Sequence, residues 1–507
     1  MNVLLKRVVQ RVILLVSSFI LQIGVISFFL LKYSESFFDF YLASLTLSII
    51  IVFIIINNKS NPSYKIAWIV PVMIFPIFGG LFYLLYGGNK LSTREKLKMV
   101  IQNIEMTNAL KQDDEIIKKI GDKSIYAKNQ SEYILNYAKC PVYNNTETTY
   151  FKIGEEKFEA LLRELKKAEK FIFLEYFIIQ EGKMFNSILE ILEEKAKQGV
   201  DVRLIYDDVG CIVTLPHNYK NTLEAKGIKC RVFNPIKPFF TRRLNNRDHR
   251  KIVVIDGCIG YTGGINIGDE YIGRNKKFGY WRDTHIRIEG TSVYMLQMTF
   301  LIDWYYNTKQ VLLDKKYFPK LMDLGNSMIQ IVASGPDSDW EAIHYAYFLS
   351  ICQARKSIYI ETPYFIPDDS LLRALKSASL SGVDVRIIFP KIADHKIVNT
   401  ASYSYFDDIL KSGGKVYLYN KGFIHSKVII IDETIASTGS ANMDLRSFML
   451  NFEINAFIYD KEIISRMKDD FFEDLKHSKE IDFDNFKNRS MTQKAKESIA
   501  RLFSPIL

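Results

Sequence analysis

Cysteine is scarce in this 507-residue chain: Cys140, Cys211, Cys230, Cys258 and Cys352 are too scattered to form a disulfide framework, which fits a reducing compartment. No cluster of Cys, His and Asp has metal-ligand spacing, so neither a metal site nor a cofactor is expected. No clear small-residue cleavage site follows the first hydrophobic run, which reads as an anchor and not as a removed signal peptide. Negative charge is also in deficit, with 57 Asp and Glu against 67 Lys and Arg, a net charge of +10. That balance favours an anionic partner, either nucleic acid or the acidic face of a membrane. At this length two or three domains are expected.

Against this background one pattern occurs twice. His249 to Asn266 reads HRKIVVIDGCIGYTGGIN, and His425 to Asn442 reads HSKVIIIDETIASTGSAN. Both place His, Lys, Asp, Gly and Asn in the same register. Chance would supply such a set roughly once per few million starting positions at ordinary residue usage. The β-branched runs after Lys251 and Lys427 predict buried strands. Alternate residues on a strand share a face, so His249 and Lys251 point one way, as do His425 and Lys427. Two such walls facing each other would hold two imidazoles, two ammoniums and the amides of Asn266 and Asn442. That set suits a phosphodiester. Lysines and asparagines neutralise non-bridging oxygens, one neutral His attacks phosphorus, and the other, protonated, serves the leaving alkoxide.

The two stretches resemble the paired motifs of the phospholipase D superfamily, in which two half-sites meet across a pseudo-twofold axis and a phosphohistidine forms. The resemblance extends over nearly the whole chain. GGINIGDEYIG, WRDTHIRIEG, GFIHSK, GSANMDLRSF, LNFEINAFIYD and the terminal RLFSPIL look like blocks of the bacterial cardiolipin synthases. It implies a catalytic set of His249, Lys251, Asp256, His425, Lys427 and Asp432. Asn266, Asn442, Ser440, Gly264, Asp283 and Glu453 would bind phosphate or support that set. In the superfamily downstream carboxylates hold the histidines, so Asp283 is expected on His249 and Glu453 on His425. The motif aspartates fit better as braces of the strand–loop junction. Gly264 departs from the pattern, because the second copy has Ser440 there.

Toward the N-terminus, residues 12–31 are long enough to span a bilayer and residues 38–56 nearly so. Lys6, Arg7 and Arg11 precede the first run. A third apolar run, 66–86, carries Pro71, Pro76, Gly79 and Gly80, and is followed by Lys90, Arg94, Lys96 and Lys98. Three spans would place that basic segment outside, against the positive-inside tendency. Two spans with a re-entrant third put the N-terminus and the catalytic part in the cytoplasm, and a full third span is the alternative. The expected domains are a membrane module (1–89), a polar connector (90–147) read as a solvated linker, and two repeats (148–325 and 326–507).

Each repeat reads helix, strand, helix, strand, and GVDVR recurs at 199–203 and 382–386. The fold class is therefore α/β, a duplicated phospholipase D-like fold of two mixed sheets flanked by helices, behind a helical membrane anchor. Glu175 and Glu361 sit on matching strands, either lining the pocket or structurally paired. His217, His344 and His477 carry no expected role, whereas His285 and His395 lie close to pocket elements in sequence. The segment 487–507 reads as a packed terminal helix or as a surface-lying one.

The function that the resemblance implies is a membrane-anchored phosphatidyltransferase. One phosphatidylglycerol forms a phosphatidyl-histidine and releases glycerol, and a second attacks to give cardiolipin. His249 is the expected nucleophile and His425 the acid, by family analogy alone. The expected partners are phosphatidylglycerol and anionic membrane lipids, with no nucleic acid. A phospholipase D-type hydrolase is the alternative, and a non-catalytic scaffold would be expected to have lost a motif His or Lys.

Overall fold

The computed structural model describes residues 24, 27, 28, 31, 32, 37–58, 60–88, 110–235, 245–275, 277–312, 314–319, 324–338 and 340–506. The first apolar run, 12–31, falls almost wholly outside these, as do the basic residues on either side of the membrane module.

Helix α1 (Phe37–Asn57) has 21 residues and among the described residues is the one helix long and apolar enough to cross a membrane. At about 1.5 Å per residue it covers about 30 Å, the thickness of a bilayer core. The third run does not continue as one rod. Asn61 caps α2 (Pro62–Ile74) by accepting from Ser63 N at 2.9 Å, and the chain breaks at Phe75 before α3 (Pro76–Tyr86). Proline at residue 76 cannot donate to the preceding turn, which makes this the natural place to bend. The two halves fold back on each other: Trp68 packs at a tilt against Phe82 and edge-on to Tyr83, and the Tyr64 hydroxyl donates to Gly87 O at 3.3 Å. At 13 and 11 residues, neither half could cross a bilayer alone.

The catalytic part contains strands β1 (Val142–Tyr143), β2 (Thr146–Ile153), β3 (Phe171–Tyr176), β4 (Asp201–Asp207), β5 (Lys229–Phe233), β6 (Lys251–Ile255), β7 (Ile259–Gly263) and β8 (Tyr280–Gly290). The second half adds β9 (Ile329–Ser334), β10 (Ser357–Glu361), β11 (Phe365–Ile366), β12 (Asp384–Pro390), β13 (Lys415–Tyr419), β14 (Gly422–Ile424), β15 (Val428–Ile431), β16 (Ile435–Gly439), β17 (Met443–Asp444), β18 (Glu453–Ile458) and β19 (Ser478–Glu480). One sheet runs β14-β8-β7-β6-β3-β4-β5, with β2 also on β8; the other runs β1-β9-β18-β16-β15-β10-β12-β13-β19. The motif strands are the buried centres. β6 lies antiparallel to β3 and β7, and β15 repeats this between β10 and β16, while β3 with β4 and β10 with β12 are parallel. The sheets are mixed, as the alternation of strands and helices predicts.

The halves are interlocked. β14, from the second half, adds in parallel to the edge strand β8 of the first sheet, and Asp248 bridges in parallel to Phe452. The connector differs from the expected solvated linker between 114 and 143. Its helices Asp114–Lys123 and Ile125–Tyr133 bury Ile116, Ile117 and Ile120 in the core, Gln130 Nε2 donates to Ala346 O, and β1 joins the second sheet. Burial of each isoleucine contributes about 1.5–3 kcal/mol, enough to dock the segment. The terminal helix Met491–Phe503 is packed through Ala500 and through Arg501, which donates to Asp408 at 3.1 Å.

Candidate active site

His249 and His425 immediately precede the motif strands, and each is fixed by a backbone bond to the other half. His249 N donates to Phe452 O at 2.9 Å, and His425 N donates to Arg282 O at 2.7 Å. Those acceptors directly precede Glu453 and Asp283. The backbone pairing therefore dictates the carboxylate partner: His249 Nδ1 donates to Glu453 at 2.9 and 3.0 Å, and His425 Nδ1 donates to Asp283 at 2.7 Å. This corrects the expected pairing within each repeat. Each imidazole is oriented by a carboxylate of the opposite repeat, with Nε2 free for chemistry.

The two half-sites differ in detail. Ser440 Oγ donates to Glu453, while the equivalent Gly264 has no room for a side chain, since a Cβ there would lie 2.1 Å from Asp283 Oδ1. The glycine makes way for the carboxylate that holds His425. Thr284 and Thr438 hydroxyls meet at 2.9 Å across the two sheets. Phe177 packs edge-on to His249, and Tyr271 and Trp281 flank His425, so both rings have fixed planes.

Lys251 Nζ donates to His249 O at 2.5 Å and Lys427 Nζ to His425 O at 2.6 Å, so each Lys stands beside its own imidazole. Both ammoniums are almost fully buried, which lowers Lys251 to about 7 and Lys427 to about 8; Lys427 further depresses Lys251, whereas the carboxylates around Lys427, Asp283 first, oppose its burial. Burial also depresses His249, to about 4, despite the opposing pull of Glu453, and lowers His425. Burial pushes Glu453 up, but His249, Lys251 and Ser440 outweigh it and hold the carboxyl below its ordinary range. An anion entering between the lysines relieves this concentrated, desolvated positive charge.

The motif aspartates stand apart, and their place in the catalytic set is corrected. They lie at the far ends of the motif strands from the histidines. Asp256 accepts from the backbone N–H of Glu169, Lys170 and Phe171, each at 2.8 Å, and Asp432 from those of Arg355, Lys356 and Ser357 at 2.7–2.9 Å. Both have φ near +50°, 53° and 51°. They brace the entry to β3 and β10.

Asn266 is occupied, accepting from Ile178 N at 3.1 Å and donating to the Tyr271 hydroxyl at 2.7 Å, whereas Asn442 Oδ1 is buried without a hydrogen-bond partner. Glu175 is in register with Ile252 and Glu361 with Val428, which puts both on the sheet face opposite the motif lysines. Glu361 lies 3.7 Å from Arg282, and Glu175 is buried beside Arg250 and Asp303, so both are structural carboxyls. Burial pushes both up, Glu361 to about 8.

Among the other histidines, His344 Nε2 donates to Asp368 at 3.0 Å, His477 is 3.6 Å from Glu473, and His217 and His395 are exposed. His285 is fully buried against Gly263, away from any substrate surface. Sequence reading missed Tyr271, Phe177 and Trp281, whose only local signal is an aromatic within five residues of a motif element. Among the described residues no group of three or more His, Cys, Asp or Glu is arranged to hold a metal ion.

The fold and the paired His–Lys walls define a duplicated phospholipase D-like enzyme. The phosphatidylserine synthase of Haemophilus influenzae has this fold, with a TM-score of 0.56 at 16% identity over 75% of this chain and all of that one. Residues 161–283 and 348–475 match the family described as "Cardiolipin synthase, PLD-like domain", and 46–88 match "Phospholipase D-nuclease N-terminal". The cardiolipin synthases of Alkalihalophilus pseudofirmus and Geobacillus kaustophilus are 43% and 42% identical, over 91% of this chain and 93% and 92% of theirs. That of Listeria innocua is 41% identical over 89% of this chain and 95% of its own. The chain belongs to the cardiolipin synthase family of phospholipase D-like phosphatidyltransferases.

Proposed function

We propose that this membrane-associated phosphatidyltransferase makes cardiolipin from two molecules of phosphatidylglycerol. The observation that carries the chemistry is the pair of imidazoles, each oriented by a carboxylate and each beside a buried lysine. His249 Nε2 attacks phosphorus of the first lipid. The phosphorus–oxygen bond to glycerol breaks, and His425 supplies the proton that releases glycerol. His425 then takes the proton from the headgroup hydroxyl of a second phosphatidylglycerol, whose oxygen displaces His249 and forms cardiolipin. Lys251, Lys427 and the side-chain N–H of Asn442 stabilise the equatorial oxygens, and the carboxylates stabilise each imidazolium as it forms.

The α2–α3 hairpin supports a re-entrant segment, and α1 a true span. With the 12–31 run as a second span, the protein is multi-pass in the cell membrane, with the catalytic part on the cytoplasmic side. Both substrates are lipids, so the anchor holds the site where they are, and closing the site against the bilayer limits water.

The test is a product assay in anionic vesicles supplied with labelled phosphatidylglycerol alone. Cardiolipin plus free glycerol from the wild type, lost in His249→Ala and His425→Ala, supports the reading. Phosphatidic acid as the main product would replace it with a hydrolase.

A further inference from the structure

Cardiolipin synthesis from two phosphatidylglycerols poses a binding problem that the paired motifs alone do not solve. The acceptor alcohol carries a phosphate of its own, one glycerol away from the phosphorus it attacks. Two anions must be held at once, and the His–Lys walls account for one.

A second cation lies on the loop that follows the second motif. Asn442 leads into the short helix Leu445–Met449, whose first turn is capped by Asp444 accepting from Ser447 N at 2.7 Å. This helix carries Arg446, whose Nη1 is buried without a hydrogen-bond partner. The charged groups around it are otherwise committed. Arg247 donates to Asn246 O, Asn234 O and Asp207, while Asp207 also accepts from Val209, Gly210 and Asp248 backbone N–H. Asp444 serves as the helix cap. Burial and the nearby Arg247 disfavour the Arg446 charge, and Asp444 offsets them only in part.

Two further observations point to a lipid. The position equivalent to Arg446, four residues beyond the motif Asn, is Glu270 in the first half, so only one side of the pseudo-twofold carries this cation. On that same side Asn61, Tyr64, Leu445, Met449, Leu450 and Pro505 line a cleft. Asn61 and Tyr64 belong to the open end of the membrane hairpin, and Leu450 is followed by Asn451, which donates to Glu453 at 3.3 Å. The cleft thus lies between the membrane helices and the short helix that carries Arg446, and Tyr64 is close enough to Arg446 to act on its charge.

We propose that Arg446, on the side of the site that faces the membrane hairpin, binds the phosphate of the acceptor lipid. The guanidinium takes the phosphate of the second phosphatidylglycerol, so that its headgroup hydroxyl faces the phosphatidyl-enzyme. The inference rests on the transfer reaction proposed above.

The test compares two activities of the full-length protein in vesicles: cardiolipin formation, and exchange of labelled free glycerol into phosphatidylglycerol. Exchange needs the donor lipid and a neutral alcohol, but no second phosphate. Arg446→Gln should lower the ratio of cardiolipin formation to exchange at least about tenfold, with Arg446→Lys partly restoring it. Arg446→Glu, which reverses the charge, should shift the ratio further in the same direction. Equal loss of both activities in Arg446→Gln, or an unchanged ratio in both variants, overturns the proposal. A wild type that exchanges glycerol and makes no cardiolipin overturns the underlying transfer reading instead, and that control is independent of the variants.

Discussion

His249 and Glu453 lie 204 positions apart in the chain and are joined by a hydrogen bond of 2.9 Å. Their contact, and its mirror between His425 and Asp283, makes the site a composite that neither repeat can form alone. The interlock is built into the backbone through His249 N on Phe452 O and His425 N on Arg282 O.

This crossing separates the roles of the two carboxylates. Glu453→Gln disables the nucleophile, so it should cut turnover by about 10²–10⁴ with any leaving group. Asp283→Asn disables the acid, so a phosphatidyl ester of a phenol, which leaves without protonation, should recover much of the first step. Equal rescue of both variants, or full activity in either, would count against these assignments.

The half-sites should respond unequally to small changes. Gly264→Ser drives a side chain into the Asp283 carboxylate and should abolish turnover, since its Cβ would lie 2.1 Å from Oδ1. Ser440→Ala removes one hydrogen bond to Glu453 and should cost about tenfold in rate. Steady-state kinetics on folded protein decide this, and equal tolerance at both positions contradicts the account.

Asp256 and Asp432 should report on stability. Each carboxylate satisfies three backbone N–H groups. Replacement by Ala should destabilise by about 3 kcal/mol or more, and Asn should be milder because it tolerates the positive φ. Thermal unfolding measures the loss. A variant unchanged in Tm but inactive would return the residue to the chemistry.

The pH profile follows from the buried imidazoles. Depressed to about 4, His249 is neutral and nucleophilic above that pH. His425 is also depressed, so its acid form fades as pH rises, unless the bound phosphodiester anion raises it again. Both profiles should be bells, and the basic limb of kcat should lie at higher pH than that of kcat/KM. Coincident basic limbs would show that substrate charge does not act on His425.

The lysines carry a cost in stability. A lysine whose folded value is lowered to about 7 destabilises the fold below its unfolded value, most strongly near and below pH 7. Lys251→Met should therefore be inactive yet raise Tm by about 2–4 °C at pH 7, with the gain shrinking toward pH 10. A lower Tm would show that its bond to His249 O outweighs the burial.

Much of this architecture is legible in the sequence because it is local. Alternation places His249 with Lys251 and His425 with Lys427, and the repeated GVDVR strands mark the duplication. The break before Pro76 was visible as proline and glycine inside an apolar run. The carboxylate exchange was hidden because it depends on which strand edges meet between halves, and equivalent positions in a repeat suggest pairing within it. The faces of Glu175 and Glu361 needed strand register, which composition does not carry. The connector was different: Ile116, Ile117 and Ile120 already had helical spacing, but the lysines around them concealed the buried stripe.

The most direct measurement is to trap the intermediate. The enzyme would be mixed with phosphatidylglycerol labelled in phosphorus, quenched in base within one turnover, and mapped by peptide. The account predicts label on His249 that is lost in Glu453→Gln. Label on His425, or cardiolipin formed with no labelled histidine at any time, would contradict it.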